Sequence, residues 1–266
     1  MPIGPLSAVL AIGSGSLVGM ILALVGGGGS ILAVPLLVYV VGVPTPHIAI
    51  GTAAIAVGLN AAFGLAAHAR QGTVRWPCAG VFATAGIAGA ALGAAAGKAI
   101  DGQRLLALFG LVMIAVGASM LRGRSEAEST SVRLSQETAA SLLPWLIGIG
   151  FGVGLLSGFF GIGGGFLIVP GLMLATGMPL TNAIGTSLVA VTAFGLTTAA
   201  SYATSNLVDW ALAALLVIGG ATGSILGSRA NAYLARSKRG LTYVFATLVI
   251  AVGITIVARG LPNLIG

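Results

Sequence analysis

Two glycine runs are the residues best placed to bind a ligand, because each lies inside a stretch without charged side chains. Residues 26–30 read GGGGS, and 135 residues later residues 161–165 read GIGGG. No Asp, Glu, Lys or Arg occurs from 1 to 69 or from 138 to 208. We expect a short helix to begin after each run, at about Ser30 and at Gly165. Backbone N–H groups at a helix N-terminus lack intrahelical partners and attract anions.

The elements that must position these runs are membrane-spanning helices. The 266 residues are 57% hydrophobic and 6% charged, with a mean hydropathy of +1.09. Soluble domains carry about 25% charged residues, so a water-soluble globule is excluded. The net charge of +7 comes from short clusters at segment ends, which form no basic face for nucleic acid.

Ten apolar segments can be marked between charged or Pro- and Asn-containing joints: 6–25, 31–43, 48–69, 76–97, 103–121, 142–160, 166–177, 181–204, 210–228 and 241–259. Most approach the roughly 20 residues that cross a bilayer. The segments 31–43 and 166–177 are shorter and directly follow the glycine runs. Each is therefore predicted to be the second arm of a helix broken inside the membrane.

The chain is predicted to be a duplicated unit. Gly51-Thr52 matches Gly185-Thr186, and Trp76 matches Trp210, at a common offset of 134. The predicted domains are a first transmembrane repeat (1–121), a polar linker (122–140) and a second transmembrane repeat (141–266). The fold class is an all-α polytopic membrane protein, with a glycine-broken helix pair and about three further spans in each repeat.

The distribution of cations favours inverted repeats. If each broken pair enters and leaves by one face, nine cations share one side: Arg70, Arg75, Arg122, Arg124, Arg133, Arg229, Arg236, Lys238 and Arg239. Three take the other side: Lys98, Arg104 and Arg259. A single crossing by each pair would give six against six. The positive-inside rule prefers the first arrangement, which inserts the second repeat upside down.

The candidate substrate-binding residues combine the glycine backbone with polar side chains from the segments that follow. Glycine allows a ligand to approach the main chain closely, although packing between helices is the alternative reading of both runs. The hydroxyls of Thr52 and Thr186 occur at matching places, whereas Ala53 replaces Ser187 in the first repeat. The full predicted set is Gly27, Gly28, Gly29, Ser30, Thr52, Asn60, Gly163, Gly164, Gly165, Thr186 and Ser187.

Other glycines and polar residues receive different readings. The sets Gly86/Gly89/Gly93 and Gly220/Gly223/Gly227 have the spacing of packing seams. His68 is either an interfacial side chain without a special role, or a proton relay or substrate contact. All five acids lie at predicted segment ends or in the linker, and Cys78 is the sole cysteine. We therefore expect no metal, no cofactor and no catalytic residues, and an enzyme is disfavoured.

The doubled motif resembles the TauE/SafE family of sulfite exporters and sulfonate permeases. The resemblance rests on residues 161–170 (GIGGGFLIVP) and 179–187 (PLTNAIGTS), with first-half echoes at 26–35 and 44–52. It implies a multi-pass carrier of sulfur-containing oxyanions, such as sulfite or organosulfonates, in the plasma (inner) membrane.

The resulting hypothesis is a secondary transporter that works by alternating access. Its expected partners are the lipid bilayer, a small anionic substrate and a coupling ion, without nucleic acid, and a homodimer is left open. The alternatives are an anion channel on the same scaffold, an intramembrane enzyme, or a membrane scaffold in which the glycines only pack helices.

Overall fold

The computed structural model describes residues 4–25, 27–121, 136–161, 163, 165–234 and 238–265. All regular elements in these ranges are helical. The long helices are α1 (Pro5–Val25), α3 (Pro46–Arg70), α4 (Trp76–Ala99), α5 (Gly102–Leu121), α6 (Gln136–Phe160), α8 (Leu180–Ala203), α9 (Trp210–Leu234) and α10 (Lys238–Ile265). Two short arms follow the bends: Gly27–Val41, whose centre is α2 (Ala33–Leu36), and α7 (Gly165–Thr176).

The prediction of a polytopic helical membrane protein is confirmed. Seven helices in the described part of the chain are long and apolar enough to cross a bilayer. The surface carries large apolar side chains, including Leu6, Trp145 and Trp210, each more than 60% exposed. Such a surface is unfavourable in water but is stable against lipid tails.

The helix directions follow from glycine contacts between neighbours. Along α1 and α9, Ile12, Ser16 and Met20 lie against Gly219, Gly223 and Gly227 in turn, so the two helices are parallel.

The same reasoning applies to α4 and α6. Gly86, Ala90 and Gly97 lie against Gly154, Gly158 and Phe159 in turn, so these two helices are also parallel.

The bundle has two ends, which we call end A and end B. At end A, Lys98 Nζ donates to the carbonyl oxygen of Ser201 at 2.7 Å, and Gly102 lies against Pro46. At end B, Asn182 Nδ2 donates to the carbonyl oxygen of Thr73 at 2.9 Å. Helices α1, α3, α5 and α9 begin at end A, whereas α4, α6, α8 and α10 begin at end B.

Small residues bring the seams into backbone contact. A Cβ on Gly19 would collide with Gly220, and one on Gly154 would collide with Gly86, at equivalent crossings of the two halves. Gly89 and Gly93 face the carbonyls of Phe151 and Leu155 in the same way. The packing interpretation of the 86/89/93 and 220/223/227 sets is confirmed, because side chains there would force the helices apart.

Two predicted boundaries differ from the structure. The first short arm begins at Gly27 in a 3-10 turn (Gly27–Leu32), not at Ser30, and ends in a π-helical turn (Leu37–Val41). Position 29 requires glycine in this tight winding, because a Cβ there would strike the backbone of Val18 and Leu22. In addition, α6 begins at Gln136, inside the predicted linker. Residues 122–135 lie outside the described residues, and the repeat boundaries stay a prediction.

Candidate functional site

The second bend is built by left-handed glycines. Helix α6 ends at Phe160, and the chain turns through Gly161 (φ 66°) and Gly163 (φ 63°) before α7 begins at Gly165. Only glycine adopts such angles without strain. A Cβ on Gly163 would also lie 2.8 Å from Cγ1 of Val57. The bend therefore requires glycine on two independent grounds.

This bend extends from the end A part of α3, where Gly161 lies against Ile50, to the middle of the bundle. Gly163 faces Val57 and Val191, the twelfth residues of the 25-residue helix α3 and the 24-residue helix α8. These two helices run antiparallel and cross where Gly58 lies against Gly195. The N-terminus of α7, with its unpaired N–H groups, is thus in the middle of the protein.

The first bend meets the second. Helix α1 ends at Val25, and the 3-10 turn that starts at Gly27 packs against α7 and α8. Ser30 in this turn is completely buried. Both glycine runs therefore interrupt their helices, and the two broken segments are in contact.

The threonines of the predicted site make equivalent structural bonds. Thr52 Oγ1 accepts a hydrogen bond from the backbone N–H of Asp209 at 3.0 Å. Thr186 Oγ1 accepts one from the N–H of Arg75, also at 3.0 Å. Asp209 and Arg75 precede the first residues of α9 and α4. Each hydroxyl thus satisfies a helix-terminal donor of the opposite half, and its own proton remains available to donate.

The two threonines are not brought together. Thr52 lies on the end A side of the crossing between α3 and α8, and Thr186 lies on the end B side. At 1.5 Å per residue, the six residues from Thr52 to Gly58 span about 9 Å. The nine residues from Thr186 to Gly195 span about 13 Å in the opposite direction. The two threonines therefore lie on opposite sides of the crossing.

The remaining predicted side chains have separate environments. Ser187 Oγ donates to the carbonyl oxygen of Ile184 at 2.7 Å within its own helix. Asn60 is 2% exposed, lies over Gly220 of α9, and its Oδ1 has no hydrogen-bond partner. Gly164 lies outside the described residues.

His68 lies at end B rather than at the bends. Its Nδ1 is 3.0 Å from Thr73 Oγ1, and that hydroxyl donates to the His68 carbonyl oxygen at 3.1 Å. The imidazole and this hydroxyl thus form a local hydrogen-bonded pair at the end of α3. The role of His68 as a relay stays a prediction.

Three buried hydroxyls extend the set of candidates. Ser157 Oγ, Thr198 Oγ1 and the Tyr202 hydroxyl belong to fully buried residues and have no hydrogen-bond partner. Ser157 precedes Gly161 by one helical turn, and this spacing is the sequence feature that could have identified it as a candidate. A buried hydroxyl without a partner is costly, so these three groups are candidates for contact with a ligand.

Charge is confined to the two ends of the bundle in the described residues. Lys98 donates to the carbonyl oxygen of Ser201 and to Ser205 Oγ, and Asp209 Oδ1 accepts from the N–H groups of Ala211 and Leu212. The described residues contain no cluster of His, Cys, Asp or Glu suited to a metal ion. The bends therefore offer neutral dipoles instead of charged side chains.

Comparison with known proteins is consistent with this architecture. The sequence model of the family described as "Sulfite exporter TauE/SafE" matches residues 11–256. A "Probable membrane transporter protein" of Xylella fastidiosa (strain 9a5c) is 51% identical over 264 residues, covering 97% of this chain and 98% of that protein. The "Probable membrane transporter protein YunE" of Bacillus subtilis (strain 168) is 28% identical over 273 residues, covering 96% and 99%. No solved structure matches the chain.

The fold and these relatives define a multi-pass helical membrane transporter. The chain belongs to the TauE/SafE sulfite exporter family. This membership confirms the resemblance drawn from the two glycine motifs, and it indicates a transporter rather than an enzyme.

Proposed function

We propose that this protein is a secondary transporter of a small sulfur-containing oxyanion, such as sulfite or an organosulfonate. The observation that carries the proposal is the contact between two glycine-broken segments in the charge-free middle of the bundle. The family description names sulfite export, whereas the printed names of the relatives specify no cargo.

The proposed binding groups are backbone N–H donors at the starts of α7 and of the Gly27–Leu32 turn. Helix N-termini carry a partial positive charge and bind oxyanions. Asn60, two residues from Gly58 at the crossing, and those of the predicted glycines that the structure describes would complete the site. Neutral donors bind an anion moderately and release it, which a carrier requires and a buried Arg would oppose.

Alternating access by inverted repeats is the proposed mechanism. Helix α1 runs from end A to end B, and its equivalent α6 runs the other way, which supports inversion. Discontinuous helices at a repeat interface are a recurrent plan for such carriers. Arg70 and Arg75 lie at end B, so the positive-inside rule favours a cytoplasmic end B in the inner membrane.

The test is flux through purified protein in proteoliposomes. We expect saturable uptake of sulfite or a small organosulfonate, with counterflow when unlabelled substrate is loaded inside. Sulfate, thiosulfate and small carboxylates serve as competing anions, and imposed proton or sodium gradients identify the coupling ion. A homodimer would be detected by the mass of the purified protein in detergent.

Three results would contradict this function. Ion currents beyond the turnover of a carrier would instead support the anion channel, and chemical conversion of the anion would support an enzyme. Absence of flux for every sulfur oxyanion, in liposomes that retain folded protein, would remove the proposed substrate class.

A further inference from the structure

A cavity of about 450 Å³ opens at end A. It lies between the end of the first short arm, the start of α3 and the start of α9. Gly42, Val43 and Ile48 form one wall, and Asp209 and Leu212 form the other. Gly42 ends the arm in a left-handed conformation (φ 83°) and is exposed.

The equivalent place at end B is packed more tightly. Gly177 ends α7 with the same left-handed turn (φ 65°), and Thr176 before it is 3% exposed, whereas its end A equivalent Val41 is partly exposed. The residues after the two turns, Met178 and Val43, are both buried. The backbone N–H of Met178 donates to Thr176 Oγ1 at 3.3 Å, which holds the turn inward. Met fills irregular gaps readily because its side chain is unbranched and flexible.

The two places also differ in one cross-link. At end B, Asn182 Nδ2 donates to the carbonyl oxygen of Thr73 at 2.9 Å, joining α8 to the loop before α4. The equivalent residue at end A is Ile48, which has no donor and lines the cavity. The equivalent of Thr73 is Leu207, and its carbonyl lies against Gly51.

The hydrogen bonds one helical turn further into the bundle are the same in both halves. Thr52 lies one turn beyond Ile48 and bonds to the N–H of Asp209, just as Thr186 lies one turn beyond Asn182 and bonds to the N–H of Arg75. The asymmetry is therefore confined to the outer rim at each end.

We propose that the end A cavity is the open mouth of the transport path, and that the equivalent place at end B is the second mouth, held shut by Asn182 and Met178. This assignment rests on the proposed alternating-access function. The structure is then the state open to end A. In the opposite state, the Asn182 amide leaves Thr73, Met178 withdraws, and end B opens.

Asp209 does not conflict with an anion passing this mouth. Its Oδ1 already accepts from the N–H groups of Ala211 (3.1 Å) and Leu212 (3.0 Å) at the start of α9. The positive end of that helix offsets much of the carboxylate charge. The equivalent residue at end B is Arg75.

The chain supplies its own reporter for end B. Cys78, the sole cysteine, is 1% exposed, but its end A equivalent Leu212 is also buried. The matched reporters are therefore Val208, which lines the cavity and is partly exposed, and its end B equivalent Val74, which is 7% exposed. An impermeant maleimide applied to either side of membrane vesicles should leave wild-type Cys78 and a Val74→Cys variant largely unlabelled. The same reagent should label a Val208→Cys variant at least about tenfold faster than Val74→Cys, with both variants made in a Cys78→Ser background.

Exchanging Ile48 and Asn182 tests directly whether the Asn182 hydrogen bond keeps end B closed. Asn182→Ile, which places the end A residue at end B, should raise the labelling rate of Cys78 by about tenfold or more. Ile48→Asn, in the Val208→Cys background, should lower labelling at end A, because the new amide can reach the carbonyl of Leu207. Asn182→Asp keeps the size of the side chain but removes the donor, and it should act like Asn182→Ile.

Either of two results would overturn the proposal. One is a Val208→Cys variant as unreactive as the Val74→Cys variant. The other is unchanged Cys78 labelling in both Asn182 variants, with size-exclusion profiles that match wild type. Labelling needs no substrate, so it fails or succeeds independently of which anion is carried. Loss of sulfite flux with the expected labelling pattern would refute the substrate alone.

Discussion

At the scale of single residues, the bend at Gly161–Gly165 depends on backbone angles that side chains disfavour. Gly161 and Gly163 both have positive φ, and both press against apolar side chains of α3. The position of the α7 N-terminus at mid-depth depends on this turn. Small changes here should therefore affect transport more than insertion into the membrane.

Gly163→Ala should abolish most flux while the protein still inserts. The left-handed backbone costs a non-glycine residue about 1–2 kcal/mol, and the added methyl would crowd Val57. The matched control is Gly148→Ala in α6, where a Cβ would meet nothing within 4 Å. Flux in proteoliposomes, normalised to inserted protein, measures both. Wild-type flux from Gly163→Ala would contradict the assignment.

At Asn60, we expect a substitution to change thermal stability and anion flux in opposite directions. Its buried Oδ1 has no partner, whereas the equivalent position in the second half is the apolar Phe194. An unpaired buried amide costs about 1–3 kcal/mol. We expect Asn60→Leu to raise the melting temperature and to lower anion flux, as measured by a thermal-unfolding scan and by transport. A destabilised variant with normal flux would show that the amide serves packing alone.

At the scale of elements, glycine seams determine which helices pair. Helix α1 packs with α9 of the other half, and α4 packs with α6. The backbones touch at Gly19 with Gly220 and at Gly86 with Gly154. Close approach of this kind supplies dispersion contacts in lipid, where no hydrophobic force drives helices together. The two halves are consequently interlocked and not merely adjacent.

Gly154→Ala should destabilise the fold, because its Cβ would lie 2.6 Å from Cα of Gly86. Overpacking of this kind typically costs about 1–3 kcal/mol. Gly152→Ala, two residues away in the same helix with nothing within 4 Å, is the matched control. Melting temperatures in detergent should fall for the first variant and stay unchanged for the second. Equal melting temperatures would argue against a tight seam.

At the scale of the whole molecule, the hairpins determine which cations share a side. Each broken segment leaves and returns toward the same end, so Arg70 and Arg75 lie at end B and Lys98 at end A. This arrangement is the one that gives nine cations against three in the sequence. Interfacial placement of Trp76 and Trp210 at the starts of α4 and α9 agrees with it.

We therefore expect end B to face the cytoplasm. In a Cys78→Ser background, Gln71→Cys should react with an impermeant maleimide only in inside-out vesicles, and Gln103→Cys only in right-side-out vesicles. Both glutamines are exposed, Gln71 after α3 at end B and Gln103 near the start of α5 at end A. The reverse pattern would invert the orientation, and labelling of both from one side would rule out the hairpin topology.

The sequence by itself determined the helical membrane fold, the ten segments and the two breaks. Continuous apolar runs of about 20 residues cross a bilayer as helices, whose backbone groups bond within the segment, and glycine marks where those helices stop. Most segment ends agree within a few residues, because charged residues and prolines mark them as well as the loss of hydropathy does.

Only the tertiary structure decided which polar groups meet. Thr52 and Thr186 occupy matching places in sequence, yet the antiparallel crossing of α3 and α8 separates them and assigns each to a helix start in the other half. The sequence shows that Asn182 replaces Ile48 of the first half, but only the structure shows that its amide bonds to the carbonyl oxygen of Thr73. Packing between distant segments, not local pattern, makes that choice.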